Sequence, residues 1–136
     1  MKCRIAMSGL AACVVLLAAC ATSPSPLQGE YTTLSPRDAA AGDHTGQVVR
    51  WGGRIVQTEP HDNSTCFEMI STELSTYGRP YWKDDADAGR FIACRAGFYD
   101  PAVFTAGREV TIGGTVTGFE NRRIGDYDYR YPLVDA

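Results

Sequence analysis

Apolar side chains recur at every second position through the larger part of this chain, and no other feature constrains the fold as much. In the first such stretch, Val49, Trp51 and Ile55 share one face. A period of two is typical of β-strands with one buried face, because successive side chains of a strand point to opposite sides. The sequence therefore predicts an all-β domain.

Five strands are expected between the glycine, proline and aspartate residues that mark turns. They cover residues 48–57, 66–75, 90–95, 109–120 and 127–134, with a short turn or helical piece at 101–106. Glycine pairs at positions 52–53 and 113–114 permit bulges or sharp coiling. This pattern predicts a small five-stranded OB-like barrel with a short helical connection. A β-sandwich is the alternative, but the roughly seven strands that it needs are hard to find here.

The first nineteen residues have the layout of a bacterial secretory signal. Lys2 and Arg4 give a cationic start, and an apolar run follows over residues 5–19. That run is shorter than the ~20 apolar residues that a membrane-spanning helix needs. The sequence therefore predicts an exported protein whose signal peptide, residues 1–19, is removed.

Leu17-Ala18-Ala19-Cys20 resembles the lipobox of bacterial lipoproteins, in which a peptidase cleaves before a cysteine whose thiol carries a diacylglyceryl group. The match predicts lipidation at Cys20, with several acyl chains such as palmitate forming a lasting membrane anchor. In two alternative interpretations, Cys20 is an incidental apolar residue, or the cleavage site is an ordinary one that yields a soluble periplasmic protein. No aspartate follows Cys20, which favours the outer membrane, with the domain facing the periplasm.

The chain is expected to have three parts. Residues 1–19 are the signal peptide, residues 20–36 are the lipidated cysteine and a flexible tether rich in serine, threonine and proline, and residues 37–136 are the barrel domain. A short helix or turn at residues 36–41 precedes the barrel. The formal net charge of −3 argues against sequence-independent nucleic-acid binding, which needs clustered cations. The membrane is the expected partner, through the lipid anchor, and nucleic acid is not.

Cys66 and Cys94 are the cysteines of the expected folded part, and we predict that they form a disulfide. An oxidising compartment favours such a bond. If the second and third strands pair as a hairpin with its turn at residues 78–80, the two cysteines face each other. The alternative is a pair of free core thiols.

The sequence contains no recognisable catalytic or metal-binding motif. His44 and His61 lack the close spacing of zinc ligands, and the acidic run at residues 84–87 lacks the glutamate that closes a calcium loop. No nucleophile elbow, phosphate-binding loop or zinc-protease motif is present. We therefore expect a protein that is not an enzyme and that has no catalytic residues, no cofactor and no metal.

One cluster near the end of the chain is a possible ligand surface. It consists of Arg122, Arg123, Tyr127, Tyr129, Arg130 and Tyr131. Alternate tyrosines can stack on sugars or bases, and OB barrels bind oligosaccharides on a comparable surface. More often such a row belongs to the core or to a half-buried sheet face. An envelope protein, a glycan, a peptide or another small ligand is the expected partner of this surface.

Several motifs together resemble the Slp family of starvation-inducible outer-membrane lipoproteins of Gram-negative bacteria. They are Val49-Arg50-Trp51-Gly52-Gly53-Arg54-Ile55, Gly89-Arg90-Phe91 with Gly97-Phe98-Tyr99-Asp100-Pro101, Gly107-Arg108-Glu109-Val110-Thr111-Ile112-Gly113-Gly114, and Tyr129-Arg130-Tyr131-Pro132. The resemblance implies an outer-membrane lipoprotein of the cell envelope, associated with stress or stationary phase, with a non-enzymatic structural or partner-binding role. It implies no catalytic residues, and the disulfide does not follow from it.

Overall fold

The computed structural model describes residues 22–136, so the signal peptide and the predicted lipidation site, Cys20, lie outside the described residues. A 3-10 turn and one short helix precede six strands. These elements are the turn Ser25–Leu27, α1 (Pro36–Ala40), β1 (Val48–Pro60), β2 (Ser64–Leu74), β3 (Pro80–Tyr81), β4 (Arg90–Ala96), β5 (Glu109–Ile124) and β6 (Tyr127–Asp135). Between residues 22 and 136, no helix has the length and apolar character that crossing a membrane requires.

Five of the strands close into a ring. β1 pairs with β2 and β5, β2 pairs with β4, and β5 pairs with β6, all in antiparallel orientation. A parallel pairing of β4 with β6 completes the circle, and the two-residue β3 adds to β2 at its side. With β3 left out, this is the Greek-key strand order of an OB fold, so the predicted all-β, OB-like class is confirmed.

The glycine pairs allow strands to approach each other closely inside this ring. A Cβ atom at Gly53 would overlap the carbonyl oxygen of Ile70 on β2, and one at Gly114 would overlap that of Asp135 on β6. Bulges lie between residues 55 and 57 of β1 and between residues 116 and 118 of β5. Close contacts and bulges together let long strands coil around a narrow core, as the sequence predicts.

The core lies inside the ring and includes side chains from β1, β2, β4, β5 and β6. Its buried members are Ala39, Val49, Trp51, Ile55, Phe67, Met69, Phe91, Ala93, Val116 and Val134. The rings of Trp51 and Phe91 meet edge to face at 5.2 Å between centroids. Helix α1 contributes Ala39, and its predicted start is confirmed because the Asp38 amide donates to the Ser35 hydroxyl at 3.1 Å.

Two connections differ in detail from the sequence expectation. The segment between β4 and β5 is a turn rather than a regular helix, with the amides of Val103 and Phe104 both donating to the Asp100 carbonyl oxygen. The chain before α1 contacts the barrel ahead of residue 36. The Thr32 amide donates to the Val48 carbonyl at 2.8 Å, and the Trp51 indole N–H donates to the Leu34 carbonyl at 2.6 Å.

Candidate binding surface

The residues of the predicted ligand surface lie on the β5–β6 hairpin, but they do not share one face. Tyr127, Tyr129 and Tyr131 alternate along β6, and Arg122 pairs with Tyr129 across the hairpin. Arg123 and Arg130 occupy the intervening positions of the two strands, so their side chains point to the opposite face. The structure therefore divides the six predicted residues between two surfaces.

Glu68 of β2 contacts the face of the hairpin that carries Arg122, Tyr127, Tyr129 and Tyr131, which we call the tyrosine face. It alternates with Phe67 and Met69, which point into the core, so its side chain lies on the outer face of the ring. The Tyr131 hydroxyl donates to Glu68 Oε1 at 2.6 Å, and Arg90 Nη1 donates to the same oxygen at 3.1 Å. Glu68 is only 9% exposed, and a carboxylate at such a position is stabilised by partners of this kind.

Arg122 connects this cluster to the end of β1. Its Nη1 and Nη2 atoms donate to the two carboxylate oxygens of Glu59 at 2.9 and 3.2 Å, and its Nε donates to Glu120 at 3.0 Å. Arg122 Nη1 also lies 3.8 Å from Glu68 Oε2. Burial lowers the pKa of Arg122, but the hydrogen bonds and charge of Glu59, then of Glu120, outweigh it and raise the pKa above its ordinary value. The guanidinium therefore stays charged and holds the ends of β1 and β5 together.

Tyr131 is part of the packed structure rather than a ring available for stacking on a ligand. The residue is fully buried. Burial first, and then the hydrogen bond to Glu68, raise the pKa of Tyr131 from 10.0 to about 12. The expectation that this ring belongs to an exposed ligand surface is wrong, because its hydroxyl is needed to satisfy the carboxylate beneath it.

The outer part of the hairpin remains accessible. Tyr127 is 67% exposed, and its ring centroid lies 6.3 Å from that of Tyr129. Tyr129 is half-buried, and its hydroxyl accepts from the Arg90 amide at 2.8 Å. On the opposite face, Arg123 lies 3.5 Å from Asp128, and the Arg130 guanidinium lies 3.7 Å above the Phe119 ring. The accessible aromatic part of the tyrosine face is therefore Tyr127 with the edge of Tyr129.

Sequence reasoning missed four charged residues of this network, namely Glu59, Glu68, Arg90 and Glu120. A signal for Glu68 was present, because the alternation of β2 places this carboxylate between the core residues Phe67 and Met69. The partners of Glu68 depend on which strands are neighbours, which local periodicity does not specify. The network is a set of mutually satisfied ion pairs on the outer face of the ring, with members on β1, β2, β4 and β5.

The disulfide lies on the same outer face. Cys66 and Cys94 are direct cross-strand partners of β2 and β4, and they are bonded. The prediction from strand register is therefore confirmed. In the part of the chain from residue 22 onward, no group of three or more histidine, cysteine, aspartate or glutamate side chains is placed to hold a metal ion.

These features define a small, disulfide-bonded domain of the OB type, with charged and tyrosine side chains packed across the outer face of its second and third ring strands. Family comparison then identifies the chain more closely. It belongs to the outer membrane lipoprotein Slp family, whose model matches residues 17–136. The predicted family is confirmed, and the chain is a lipoprotein of the cell envelope.

Three relatives are similar over most of the chain. An uncharacterized protein of Haemophilus influenzae is 34% identical, and the match covers 100% of this chain and 75% of the relative. The uncharacterized lipoprotein YeaY of Escherichia coli K12 is 30% identical over 90% of this chain and 64% of its own length. The outer membrane protein Slp of Escherichia coli K12 is 29% identical over 88% of this chain and 65% of its own length. No solved structure matches the chain.

Proposed function

We propose that this protein is anchored to the outer membrane by lipid on Cys20, faces the periplasm, and acts there as a non-enzymatic structural or partner-binding component. Accumulation under stress or in stationary phase is part of the same proposal. The observation that carries it is the complete lipobox at residues 17–20, which is also where the family match begins. An anchor at that position needs no membrane-spanning helix.

The disulfide supports an extracytoplasmic position for the domain. Bonds of this kind persist in the periplasm and are rare in the cytosol. Because Cys66 and Cys94 lie on adjacent strands of the ring, the bond joins elements that are already neighbours. It therefore stabilises the domain without forming part of a reactive site.

The charge network supports a role without catalysis. A general acid or base must have a free position from which to reach its substrate. Glu68 is engaged by Tyr131 and Arg90, and Arg122 approaches its second oxygen. The most enclosed carboxylate of the surface is therefore committed to holding strands together.

Cell fractionation of a Cys20→Ser variant tests the anchor. The wild-type protein should remain with outer membranes after high-salt washing, whereas the variant, which cannot carry the lipid, should be lost from the outer-membrane fraction. A Cys66→Ser/Cys94→Ser double variant is the matched control, because it removes two thiols but retains the lipobox and should stay with the membrane. Equal retention of the wild-type protein and the Cys20→Ser variant would contradict the proposal.

The accessible tyrosines favour a second candidate function, the binding of an envelope glycan or peptide. An exposed ring such as Tyr127, with Tyr129 next to it, is suited to stacking on a sugar. Tyr127→Ala should weaken binding of the detergent-purified protein to peptidoglycan fragments by roughly fivefold or more, if stacking contributes ~1 kcal/mol or more. Phe98→Ala is the matched control, since Phe98 is an equally exposed aromatic residue outside the hairpin. The absence of measurable binding by the wild-type protein would remove this candidate.

A further inference from the structure

The chain enters the domain beside an open pocket of about 670 Å³. The entering segment contributes Thr22, Pro24 and Leu27 to one wall, and the loop between β2 and β3, with the first residue of β3, contributes Tyr77, Arg79 and Pro80 to the other. None of these residues belongs to the tyrosine and arginine surface of the β5–β6 hairpin. The pocket is therefore a separate feature, located where the predicted anchor meets the fold.

The β2–β3 loop lies close to the entering segment and is hydrogen-bonded to the barrel. A Cβ atom at Gly78 would lie 3.1 Å from the Ser23 hydroxyl, and the positive φ of Gly78, 75°, is one that glycine adopts without strain. The Gly78 carbonyl accepts a hydrogen bond from the Thr111 hydroxyl of β5 at 2.7 Å. The loop is thus bonded to the barrel and lies next to the incoming chain.

The position of Cys20 limits how far this loop can lie from a membrane. Cys20 precedes Thr22 by two residues, and two residues of extended chain span at most ~7 Å. A diacylglyceryl group on Cys20 would hold the cysteine at the level of the phospholipid headgroups. Thr22, and the pocket that it lines, would then lie within about that distance of the bilayer surface.

The exposed side chains of the loop, of β3 and of the residues just after β3 have the chemistry of a membrane interface. Tyr77 is 49% exposed and Tyr81 is 56% exposed, although both are large aromatic residues. Tyrosine is enriched at bilayer surfaces because its ring is apolar and its hydroxyl stays hydrated. Residues 75–85 carry two cations, Arg79 and Lys83, and two carboxylates, Asp84 and Asp85, so this segment has no net charge. Aromatic insertion, rather than attraction to anionic lipid, is what this composition favours.

We propose that the β2–β3 loop, with Tyr77 at its centre, seats the domain on the phospholipid bilayer next to the lipidated cysteine. Tyr77 lies at the headgroup level, and the pocket between the loop and the entering segment opens towards the glycerol region of the lipid. The proposal rests on the anchor at Cys20. It adds an orientation, because the pole of the ring that carries the loop faces the membrane and the pole that carries Phe98 faces away.

The experiment uses the full-length, acylated protein reconstituted into phosphatidylethanolamine and phosphatidylglycerol vesicles, with and without bromine on the acyl chains. Tyr77→Trp places a fluorescent reporter on the loop, and brominated lipid quenches an indole only when the two are in contact. Phe98→Trp is the matched control. Phe98 is 70% exposed and follows β4, whose end at Ala96 pairs with Ser64 at the start of β2. The loop follows the other end of β2, at Leu74, so the length of β2 separates the two reporters.

The emission gained in Tyr77→Trp should fall by about half or more in brominated vesicles, while the emission gained in Phe98→Trp should not change, because only the first reporter lies at the interface. High salt should leave the quenching unaltered. If the two reporters were quenched equally, or if neither were quenched in an acylated, vesicle-bound protein, the proposed orientation would be overturned. The proposed lipid anchor would not be affected by either result. Loss of quenching in high salt would overturn aromatic insertion.

Mass measurement and vesicle flotation of the same preparations separate the two proposals. A protein that lacks acyl chains and does not float with vesicles would overturn the anchor, and the seating of the loop would be overturned with it. Crosslinking of residue 77 to a partner protein in intact cells, with no quenching by lipid, would assign the loop to a protein interface instead and would also overturn the proposal. Both variants replace one exposed aromatic ring by another, so folding should be retained.

Discussion

Replacing Glu68 by alanine removes the carboxylate that unites three strands of the ring. In the native protein, Glu68 of β2 accepts from Tyr131 of β6 at 2.6 Å and from Arg90 of β4 at 3.1 Å. The change leaves the Tyr131 hydroxyl buried without its partner. It also leaves Arg90 with one ion pair fewer, while Arg122 retains Glu59 and Glu120.

The expected loss of stability can be worked out from these contacts. A buried hydroxyl without a partner costs about 1–3 kcal/mol. Removing one partner of a fully buried ion pair costs about 3–5 kcal/mol, but the side chains of Arg90 and Arg122 are 25% and 27% exposed, so solvent recovers much of that penalty. We therefore expect Glu68→Ala to lower the free energy of unfolding by about 2–4 kcal/mol.

Urea unfolding of the chain from residue 21 onward, followed by tryptophan fluorescence with the disulfide intact, measures this loss. Glu120→Ala is the matched control, because it also removes a carboxylate from Arg122, but one whose side chain is 45% exposed. The control should cost at most about 1 kcal/mol. If Glu68→Ala cost no more than Glu120→Ala, the argument that Glu68 organises the outer face would be refuted.

Three further predictions concern the same fold. In a titration followed by phenolate absorbance, one tyrosine should ionise only near pH 12, and this late step should be absent in Tyr131→Phe. A late step that persists in Tyr131→Phe would show that Tyr131 is not the tyrosine with the raised pKa. Because burial raises the pKa of Tyr131 above its unfolded value, its contribution to stability is complete below about pH 10 and is lost as the pH rises towards 12. Gly53→Ala should destabilise the domain by about 3 kcal/mol or more in urea unfolding, because the added Cβ meets the backbone of β2. Gly125→Ala is the control and should cost about 1–2 kcal/mol, because Gly125 has open space around it but a positive φ of 60°. Equal costs would contradict the close approach of β1 and β2. Cys66→Ser/Cys94→Ser should lower the free energy of unfolding by ~3.5 kcal/mol, and a reducing agent should have the same effect on the wild-type protein but none on the variant.

The positions of the ring strands and the register of β2 with β4 could be predicted, because both follow from local sequence pattern. Alternation identified all five ring strands, and the hairpin register that places Cys66 opposite Cys94 is the one observed. The turn predicted at residues 78–80 lies slightly earlier, at residues 75–78, and it joins β2 to the short β3 rather than leading directly into β4. Register follows from local pattern because a shift of one residue would turn every core side chain of β2 outward.

The ion-pair network on the outer face could not be predicted from the sequence, because it depends on which strands become neighbours. Tyr131 reaches Glu68 only because β6 lies parallel to β4, and no local pattern specifies that pairing. Part of the division of the hairpin residues could have been predicted, since alternation along β6 separates Arg130 from the tyrosines. The face of Arg123 depends on the register of β5 with β6. The contacts of Thr32 and Leu34 with β1 were missed because a serine- and proline-rich composition suggests a free tether even where backbone groups find partners.

The most direct test of the lipid anchor is the mass of the amino-terminal peptide of the wild-type protein, extracted from membranes and digested. The account predicts a peptide that begins at Cys20 and carries the added mass of a diacylglyceryl group. An unmodified peptide, or one that begins at a residue other than Cys20, would contradict the account.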